Sequence, residues 1–375
     1  QVRALEHAYQ MSDVSPETVE LVEAHGTGTS VGDGIEVEAL TSLYRAAKKD
    51  GVWCALGSVK SMIGHTKAAA GSASLLKATM ALRHKVLPPT LKVTQPHPVL
   101  ASLKAPFYLN TDKRPWLSTS GHPRRAAVSA LGFGGTNFHA ILEEANPEKI
   151  EVDWDGDQDI VALSACDIAQ LKASLASWTA EKSWDQVRID AVAARSAFDV
   201  AAACRLGLVL EKGGDVRALV DKAMQLLSSN ADKPSWSSPE GIYFGSGRAG
   251  KLGVLFPGQG AQYTGMARDL VCTFPESFSA LEEADAVFKS QKRLCDLMFP
   301  RPAWTKEEKD SQEKDLRSTD VAQPALGAAA LAAWRALARF GVKADGVAGH
   351  SYGELVALHV AGCFDAPTLH ELSGL

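Results

Sequence analysis

The sequence lacks most features that would direct it to a membrane, an oxidising compartment or nucleic acid. No apolar run approaches the ~20 residues of a membrane-spanning helix, and no charged-then-apolar leader opens the chain. The six cysteines are scattered, with no CxxC pair and no histidine at a metal-binding spacing, so neither disulfides nor a zinc site are expected. The net charge of −5 is not the basic excess of a nucleic-acid-binding protein. We therefore expect a cytoplasmic protein with no metal, no nucleic-acid partner and no membrane span.

What the sequence does contain is an ordinary globular composition, divided into stretches of different character. Hydrophobic residues make up 46% and charged residues 22% of the 375 residues, which is enough chain for two or three domains. Residues 1–145 are rich in Gly, Thr, His and Ala. Residues 146–250 open with the acidic, turn-rich NPEKIEVDWDGDQD and then have the pattern of a small α/β unit. A third stretch, 251–375, begins with the strand-like KLGVLF.

The spacing of apolar residues predicts the regular elements of the second and third stretches. We expect strands at 160–163 and 206–210, and helices at 169–178, 215–227 and 320–340. The frequent Pro, Ser and Gly of 233–250 predict a loop. The charged run 306–317 predicts a solvated loop or helix end.

Two histidines stand in glycine-containing loops of the first stretch. The strand-like VELVEA leads into His25 of HGTGT, and GSVKSMIGH ends at His65 just before an alanine-rich helix. Loops on a rigid scaffold often carry catalytic side chains, and their glycines allow the backbone to approach a ligand closely. The residues alone leave a catalytic role and a plain polar surface role equally open.

Three ordered motifs in this stretch resemble those of a known enzyme family. HGTGT followed by GD, then SVKSMIGHTKAAAG, then GFGGTNFHAILEE, resemble the signatures of β-ketoacyl synthases. The similarity is closest to the ketosynthases of iterative polyketide, enediyne and polyunsaturated fatty-acid synthases, and it covers residues 1–145. The resemblance implies that this stretch is the C-terminal part of a thiolase-like α/β domain.

The resemblance also implies roles for individual residues. Such an enzyme decarboxylates a malonyl thioester, and the N–H groups of His25 and His65 would stabilise the negative charge on the thioester oxygen. Lys60 would support the site electrostatically, with a plain surface lysine as the alternative. The remaining implied roles are pantetheine binding by Thr27 and Thr29, gating of the acyl pocket by Phe133, and support of that loop by Asn137.

The family's nucleophilic cysteine has no counterpart in this chain. It belongs in a motif ahead of the first histidine. Cys166, in Ser164-Ala165-Cys166, superficially resembles its setting but follows both histidines, so we interpret it as a small buried hydrophobe. Cys54, just before a predicted strand, is assigned to the core.

The third stretch contains a possible serine elbow. Gly349-His350-Ser351-Tyr352-Gly353 matches G-x-S-x-G, and VAGHSYGELVALHVAG predicts a strand, a tight turn and a helix. In that setting Ser351 would be an exposed nucleophile, and the N–H of Tyr352 would help to stabilise an oxyanion.

The upstream segments separate the two families that use this elbow, the α/β-hydrolases and the malonyl-type acyltransferases. VLFPGQGAQYTGMARDL, TDVAQPALGAAALAAW and GHSYGEL resemble the acyltransferases in order and spacing. The resemblance implies that residues 251–375 are the N-terminal part of an α/β-hydrolase-like acyltransferase domain. It assigns the second oxyanion N–H to the Gln259 backbone and places His350 beside the acyl pocket.

Two further acyltransferase residues, the arginine that clamps the extender carboxylate and the general-base histidine, are expected beyond residue 375. His359 and His370 follow Ser351, but they fall in the next helical stretch, so we assign them to a helix surface or the core.

The combined expectation is an α/β protein made of a partial ketosynthase, an adaptor at 146–250 and the start of an acyltransferase. The full-length synthase that the resemblance implies would be a homodimer. It would condense malonyl-derived units with acyl thioesters and load acyl groups from malonyl-CoA or acyl-CoA onto the phosphopantetheine of an acyl carrier protein, with no bound cofactor. The product class stays open, and this segment alone is expected to be inactive. A serine hydrolase and a non-catalytic scaffold are the alternatives.

Overall fold

The computed structural model describes residues 1–118, 121–248 and 250–374. The chain forms two compact units, one made of residues 1–153 with 253–375 and the other of residues 154–252. Each unit combines helices with β-sheet, which confirms the expected α/β class. The three-domain division at 145 and 250 stays a prediction.

The first stretch contains seven strands and five α-helices among its described residues. The strands are β1 Leu21–Glu23, β2 Cys54–Gly57, β3 Val86–Leu87, β4 Phe107–Leu109, β5 Arg114–Pro115, β6 Arg125–Leu131 and β7 Asn137–Glu143. The helices are α1 Val2–Ser12, α2 Ser30–Ala47, α3 Lys60–Ile63, α4 Ala70–His84 and α5 Pro98–Ser102.

A five-stranded sheet of order β4-β2-β1-β6-β7 organises this stretch. At its centre β1 runs parallel to both neighbours, with Val22 opposite Leu56 of β2 and Ala127 of β6. Every residue of β1 and β2 is buried, as expected of parallel strands covered on both faces. The carboxyl ends of β1 and β2 lie at the same sheet edge, so the loops that follow these strands are neighbours.

The second unit is an antiparallel sheet of order β10-β11-β9-β8 with three helices. Its elements are β8 Gln158–Ala165, α6 Ile168–Ala176, α7 Trp184–Ser196, β9 Cys204–Glu211, α8 Val216–Ser229, β10 Ser235–Ser238 and β11 Ile242–Ser246. Alternate residues of β9 are buried, among them Leu206, Leu208 and Leu210. They pack with Leu171 of α6 and Val220 of α8 in one core, as the sequence periodicity predicts.

The expectation of a loop over 233–250 was wrong. β10 and β11 form a hairpin there, with Ser238 opposite Ile242 and Trp236 opposite Phe244. Ile242 and Phe244 are buried against β9, and this tertiary contact outweighs the turn-forming composition of the segment.

Two other expectations are also corrected. The charged run forms a complete helix, α12 Lys306–Arg317. The Thr305 side chain and Glu308 form a capping box at its start, and Leu316 is its one fully buried residue. Cys166 is exposed because it lies just beyond the end of β8, whereas Cys54 is buried in β2 as expected.

The third stretch pairs two parallel strands with seven helices among its described residues. The elements are β12 Gly253–Phe256, α9 Arg268–Thr273, α10 Pro275–Val287, α11 Leu294–Met298, α12, α13 Thr319–Arg339, β13 Gly346–Gly349, α14 Gly353–Val360 and α15 Ala366–Ser373. Val254 of β12 lies opposite Val347 of β13. Across all the described ranges, no helix is both long and apolar enough to cross a membrane.

Candidate functional site

The two histidines singled out in the sequence are brought together at one edge of the first sheet. Their ring centroids are 5.4 Å apart and the ring planes meet at 83°. His25 lies two residues after the end of β1, whereas His65 follows the short helix α3 that comes after β2. The parallel pairing of β1 with β2 therefore unites residues that are far apart in the chain.

A buried carboxylate shapes the loop of His25. Glu36 of α2 is 5% exposed and accepts the backbone N–H groups of His25 at 2.8 Å and of Gly26 at 2.9 Å. On the other side, Ser58 Oγ donates to the Gly26 carbonyl at 3.0 Å. Gly26 has φ 41°, and a Cβ there would lie 2.9 Å from the Ser58 Cβ, so only glycine fits this close crossing of the two loops.

The hydrogen bonds of the two rings define what they can offer a ligand. His65 Nδ1 accepts the backbone N–H of Lys67 at 3.1 Å, so a neutral His65 ring carries its proton on Nε2 as a donor. His25 Nδ1 is buried and bonds to none of the described residues. Burial, followed by the charge of Lys60, lowers the pKa of His25. The lowered pKa favours the neutral form of this ring.

Lys60 begins α3 next to these rings. Its Nζ is buried and hydrogen-bonds to no group in the described ranges. Burial lowers the pKa of Lys60, and the carboxylates of Glu23, Glu36 and Asp33 oppose that shift. The site thus combines two imidazoles with an ammonium that has no fixed hydrogen-bond partner.

The expected pantetheine and gating residues lie in the adjoining loops. The hydroxyls of Thr27 and Thr29 are 3.3 Å apart and exposed. The Phe133 backbone begins a short helical turn, Phe133–Gly135, and its side chain lies outside the described part of the structure. Asn137 begins β7 opposite Leu131. The roles proposed for these four residues stay predictions.

Ser351 occupies the strand-to-helix turn that the sequence predicts. It lies between β13 and α14 with φ 54°, a strained left-handed conformation for a non-glycine residue. The flanking glycines are required, because a Cβ on Gly349 would lie 2.0 Å from the Gly353 carbonyl carbon. A Cβ on Gly353 would lie 2.2 Å from the Phe256 carbonyl oxygen. Ser351 itself is exposed.

The loop after β12 lies directly against this turn. The His350 N–H donates to the Phe256 carbonyl at 3.0 Å. A Cβ on Gly258 would be 2.4 Å from the His350 carbonyl oxygen and 3.0 Å from the Ser351 Cβ. Gln259 is the residue that follows this contact in the loop. Its side chain donates to Thr319 Oγ1 at 3.2 Å.

The buried side chain of Tyr352 holds the serine turn against α15. Its side chain is 4% exposed, and its hydroxyl lies 2.5 Å from Ser373 Oγ of α15. Burial raises the pKa of Tyr352 to about 12. Only its backbone can take part in the predicted oxyanion contact. The exposed His350 side chain lies against the loop after β12, where its Nδ1 would be 3.1 Å from a Cβ on Gly258.

The two histidines after Ser351 lie where the sequence analysis placed them. His359 Nδ1 is 2.9 Å from the Phe364 carbonyl oxygen. His370 is buried in α15, where burial lowers its pKa to about 4. Neither of them hydrogen-bonds Ser351 within the described ranges. In the same ranges no three His, Cys, Asp or Glu side chains are grouped as a metal site requires.

Three further residues, Glu23, Glu36 and Ser58, hold the histidine loops through hydrogen bonds and were not predicted from the sequence. Glu23 offered a signal, because it is an acid within a strand that is otherwise apolar. A carboxylate in such a position must have a partner.

Comparison with known proteins adds two family matches. The family model described as the C-terminal domain of β-ketoacyl synthases matches residues 1–94, and the acyl transferase domain matches residues 254–367.

Three curated relatives match almost the whole chain. One component of the polyunsaturated fatty acid synthase of a Thraustochytrium species is 36% identical, covering 99% of this chain and 14% of the relative. Polyketide synthase GfsA of Streptomyces halstedii is 36% identical, with coverages of 96% and 5%. The phenolphthiocerol synthesis polyketide synthase type I Pks15/1 of Mycobacterium marinum is 34% identical, with coverages of 96% and 17%. The chain thus spans 5% to 17% of the length of these relatives.

Among solved structures, the ketosynthase from module 6 of the bacillaene synthase of Bacillus subtilis is 32% identical. The match covers 65% of this chain and 40% of that one, with a TM-score of 0.38.

Proposed function

Because this chain carries ketosynthase and acyltransferase sequence of the type I polyketide and polyunsaturated fatty-acid synthase family, we propose that it contributes two transferase sites to such an assembly. The family matches at 1–94 and 254–367 confirm the predicted ketosynthase and acyltransferase parts. The observation that carries the proposal is the convergence of His25 and His65, with ring centroids 5.4 Å apart.

The first site would decarboxylate a malonyl thioester. Loss of CO₂ leaves its bonding electron pair on the α-carbon, and the charge is shared with the thioester oxygen as an enolate. Nε2–H of His65 and the N–H of a neutral His25 would donate to that oxygen, beside the positive charge of Lys60. The enolate carbon would then attack the carbonyl carbon of an acyl-cysteine thioester, whose cysteine is expected outside this chain. The new C–C bond would replace the C–S bond, and the cysteine thiolate would leave. Thr27 and Thr29 would bind the amides of the pantetheine arm, and Phe133 would gate the acyl pocket.

The second site would transfer an acyl group through Ser351. Its Oγ would attack the thioester carbonyl of malonyl-CoA or another acyl-CoA, and the coenzyme A thiolate would leave. The backbone N–H groups of Gln259 and Tyr352 would hold the oxyanion, and His350 would border the acyl chain. The thiol of a carrier protein's phosphopantetheine would then attack the acyl-serine, and the acyl C–O bond would break as Ser351 leaves. The general-base histidine expected beyond residue 375 would take the proton of Ser351 in the first step and that of the thiol in the second, and would return one to Ser351. The positive φ of Ser351 and the close approach of Gly258 support this assignment.

The wider setting follows from the same family. We propose that the chain acts within a cytoplasmic, homodimeric synthase, with an acyl carrier protein domain as the partner of both sites. Polyketides and polyunsaturated fatty acids remain the two product classes, since relatives of both kinds match at 36% identity.

Two substitutions in the synthase containing this chain test the two sites independently. His65→Ala should lower malonyl decarboxylation, measured as CO₂ release, by at least about 100-fold, because a donor to the developing charge is lost. Ser351→Ala should remove the malonyl mass shift on the Ser351 peptide while the histidine site still decarboxylates a preloaded malonyl carrier. Normal CO₂ release in the first variant, or a persisting mass shift in the second, would reject the corresponding site.

A further inference from the structure

Glu23 is a carboxylate in the centre of the first sheet, two residues before His25. It is the last residue of β1 and has no exposed surface. The other two residues of this strand, Leu21 and Val22, are apolar and equally buried. Burying a charged carboxylate is unfavourable unless it is paired and hydrogen-bonded, so its partners show what it is for.

The partners of Glu23 come from two other elements. Lys77 Nζ of α4 lies 2.8 Å from Glu23 Oε2, and the Lys77 side chain is only 9% exposed. The other carboxylate oxygen accepts the backbone N–H of Val59. Val59 is the residue immediately before Lys60. One carboxylate therefore joins the strand that carries His25 to the turn that carries Lys60 and leads to His65.

Gly57, the last residue of β2, lies close to this ion pair. A Cβ on Gly57 would be 3.4 Å from Lys77 Nζ, 3.6 Å from Glu23 Oε2 and 2.7 Å from Thr90 Oγ1. Three polar side chains thus converge on the backbone of Gly57, just before the turn to Lys60.

The charge of Glu23 also acts on Lys60. Burial lowers the pKa of Lys60, and Glu23 is the foremost of the carboxylates that oppose this shift. The other charged or titratable groups around this ammonium are Glu36 and Asp33 from the α2 side and the imidazole of His25, which His65 faces in turn.

We propose that Glu23 and Lys77 are positioning residues for decarboxylation. The Glu23 carboxylate holds the Lys60 turn in register with His25, and the Lys77 ammonium, 2.8 Å away, offsets part of the cost of burying that carboxylate. Neither side chain touches the substrate. This inference rests on the proposed ketosynthase function.

Glu23→Gln in the synthase tests the inference, because it keeps the side-chain size and removes the charge. The kcat for malonyl decarboxylation should fall between about 10-fold and 100-fold, as expected for a displaced catalytic group, with KM unchanged. Without the Glu23 charge Lys60 loses its proton at a lower pH. The basic limb of the kcat profile should therefore move to lower pH.

A matched control is available immediately before the same strand. Glu20 is half-buried and accepts the Trp116 Nε1–H at 2.8 Å, away from the histidine loops. Glu20→Gln should leave the pH profile of kcat in place. Lys77→Arg should retain most activity and Lys77→Met should not. The double variant Glu23→Gln/Lys77→Met removes both buried charges, so it keeps the test usable if Glu23→Gln alone fails to fold.

The outcomes separate the inference from the proposed function. Wild-type kcat and pH profile in Glu23→Gln and in the double variant, alongside an inactive His65→Ala, would overturn the positioning role and leave the ketosynthase function standing. An equal loss of kcat in Glu20→Gln and Glu23→Gln with no pH shift in either would also overturn it, because it would show only general destabilisation. Normal decarboxylation in His65→Ala would reject the ketosynthase function itself.

Discussion

Gly258 lies so close to Ser351 that a Cβ at position 258 would be 3.0 Å from the serine Cβ. The same atom would be 2.4 Å from the His350 carbonyl oxygen, which belongs to the backbone and cannot rotate away. The loop after β12 and the serine turn are thus fitted to each other at the level of the main chain.

Gly258→Ala should therefore slow acylation of Ser351 by at least about 10-fold, because the Gln259 N–H would move away from the serine. The measurement is the rate of the malonyl mass shift on the Ser351 peptide. Gly253→Ala in β12 is the control, since a Cβ there meets nothing within 4 Å. Equal rates in both variants would mean that the Gln259 loop does not serve Ser351.

Removing the arginine should lower the stability of the protein much more at a buried ion pair than at a surface ion pair. Arg124 is fully buried, at 2.8 Å from Glu144 and 3.2 Å from Glu282, whereas the pair of Arg83 with Glu151 is exposed. Arg124→Met should lower the free energy of unfolding by about 1.5–3 kcal/mol, because Glu144 loses the charged hydrogen bond from Arg124 but keeps its ion pair with Lys85. Arg83→Met should barely move the urea midpoint. Similar midpoints for the two variants would contradict this view of Arg124.

Stability should decline in acid partly because of His370. Burial lowers the pKa of this residue to about 4, whereas a histidine in the unfolded chain titrates near its ordinary value of about 6.5. Between those values the unfolded state binds the extra proton, so stability is lost as pH falls from about 6.5 to about 4. The loss from this one residue is on the order of 3 kcal/mol.

His370→Leu should flatten that part of the stability curve, measured by urea unfolding at a series of pH values. An unchanged slope between pH 6.5 and 4 would show that His370 gains its proton in the folded protein as readily as in the unfolded chain. The exposed His350, in the same stretch, gives the control variant His350→Leu.

The pKa of His25 offers a direct test of the histidine site. Burial and the charge of Lys60 both hold it below the ordinary histidine value. Lys60→Met should raise the pKa of His25, because the nearby positive charge is gone. Proton-detected titration of ring-labelled histidines would show the shift, with His84 of α4 as an internal reference. No change in the His25 titration would place Lys60 too far away to act on it.

How much of this arrangement can be predicted from sequence depends on the distance between the interacting residues along the chain. The motifs HGTGT and GHSYG predict their functional residues from local sequence, because the glycines and the reactive side chain are neighbours in the chain. The partners of Glu23 are 36 and 54 positions away, so the strand pattern shows only that this carboxylate needs a partner.

Two predictions were wrong because local sequence shows neither where a segment packs nor at which residue a strand ends. The 235–246 hairpin exists because Ile242 and Phe244 find a core on β9, which no local composition reveals. Cys166 is exposed because β8 ends one residue before it, and the local sequence does not show where this strand ends.

The parallel pairing of β1 and β2 has a consequence for how this chain tolerates change. Neighbouring strands lie about 4.8 Å apart because peptide hydrogen bonds set that spacing. The 5.4 Å between the rings of His25 and His65 therefore depends on this strand pairing and on the α3 turn after β2, and the length of chain between the two strands has little influence on it. The exposed turn at 48–51, between α2 and β2, lies within that length. Extra residues inserted there would lengthen the path between the histidines without lengthening the gap between them. This turn is therefore a suitable place for a tag or a reporter domain in a working enzyme.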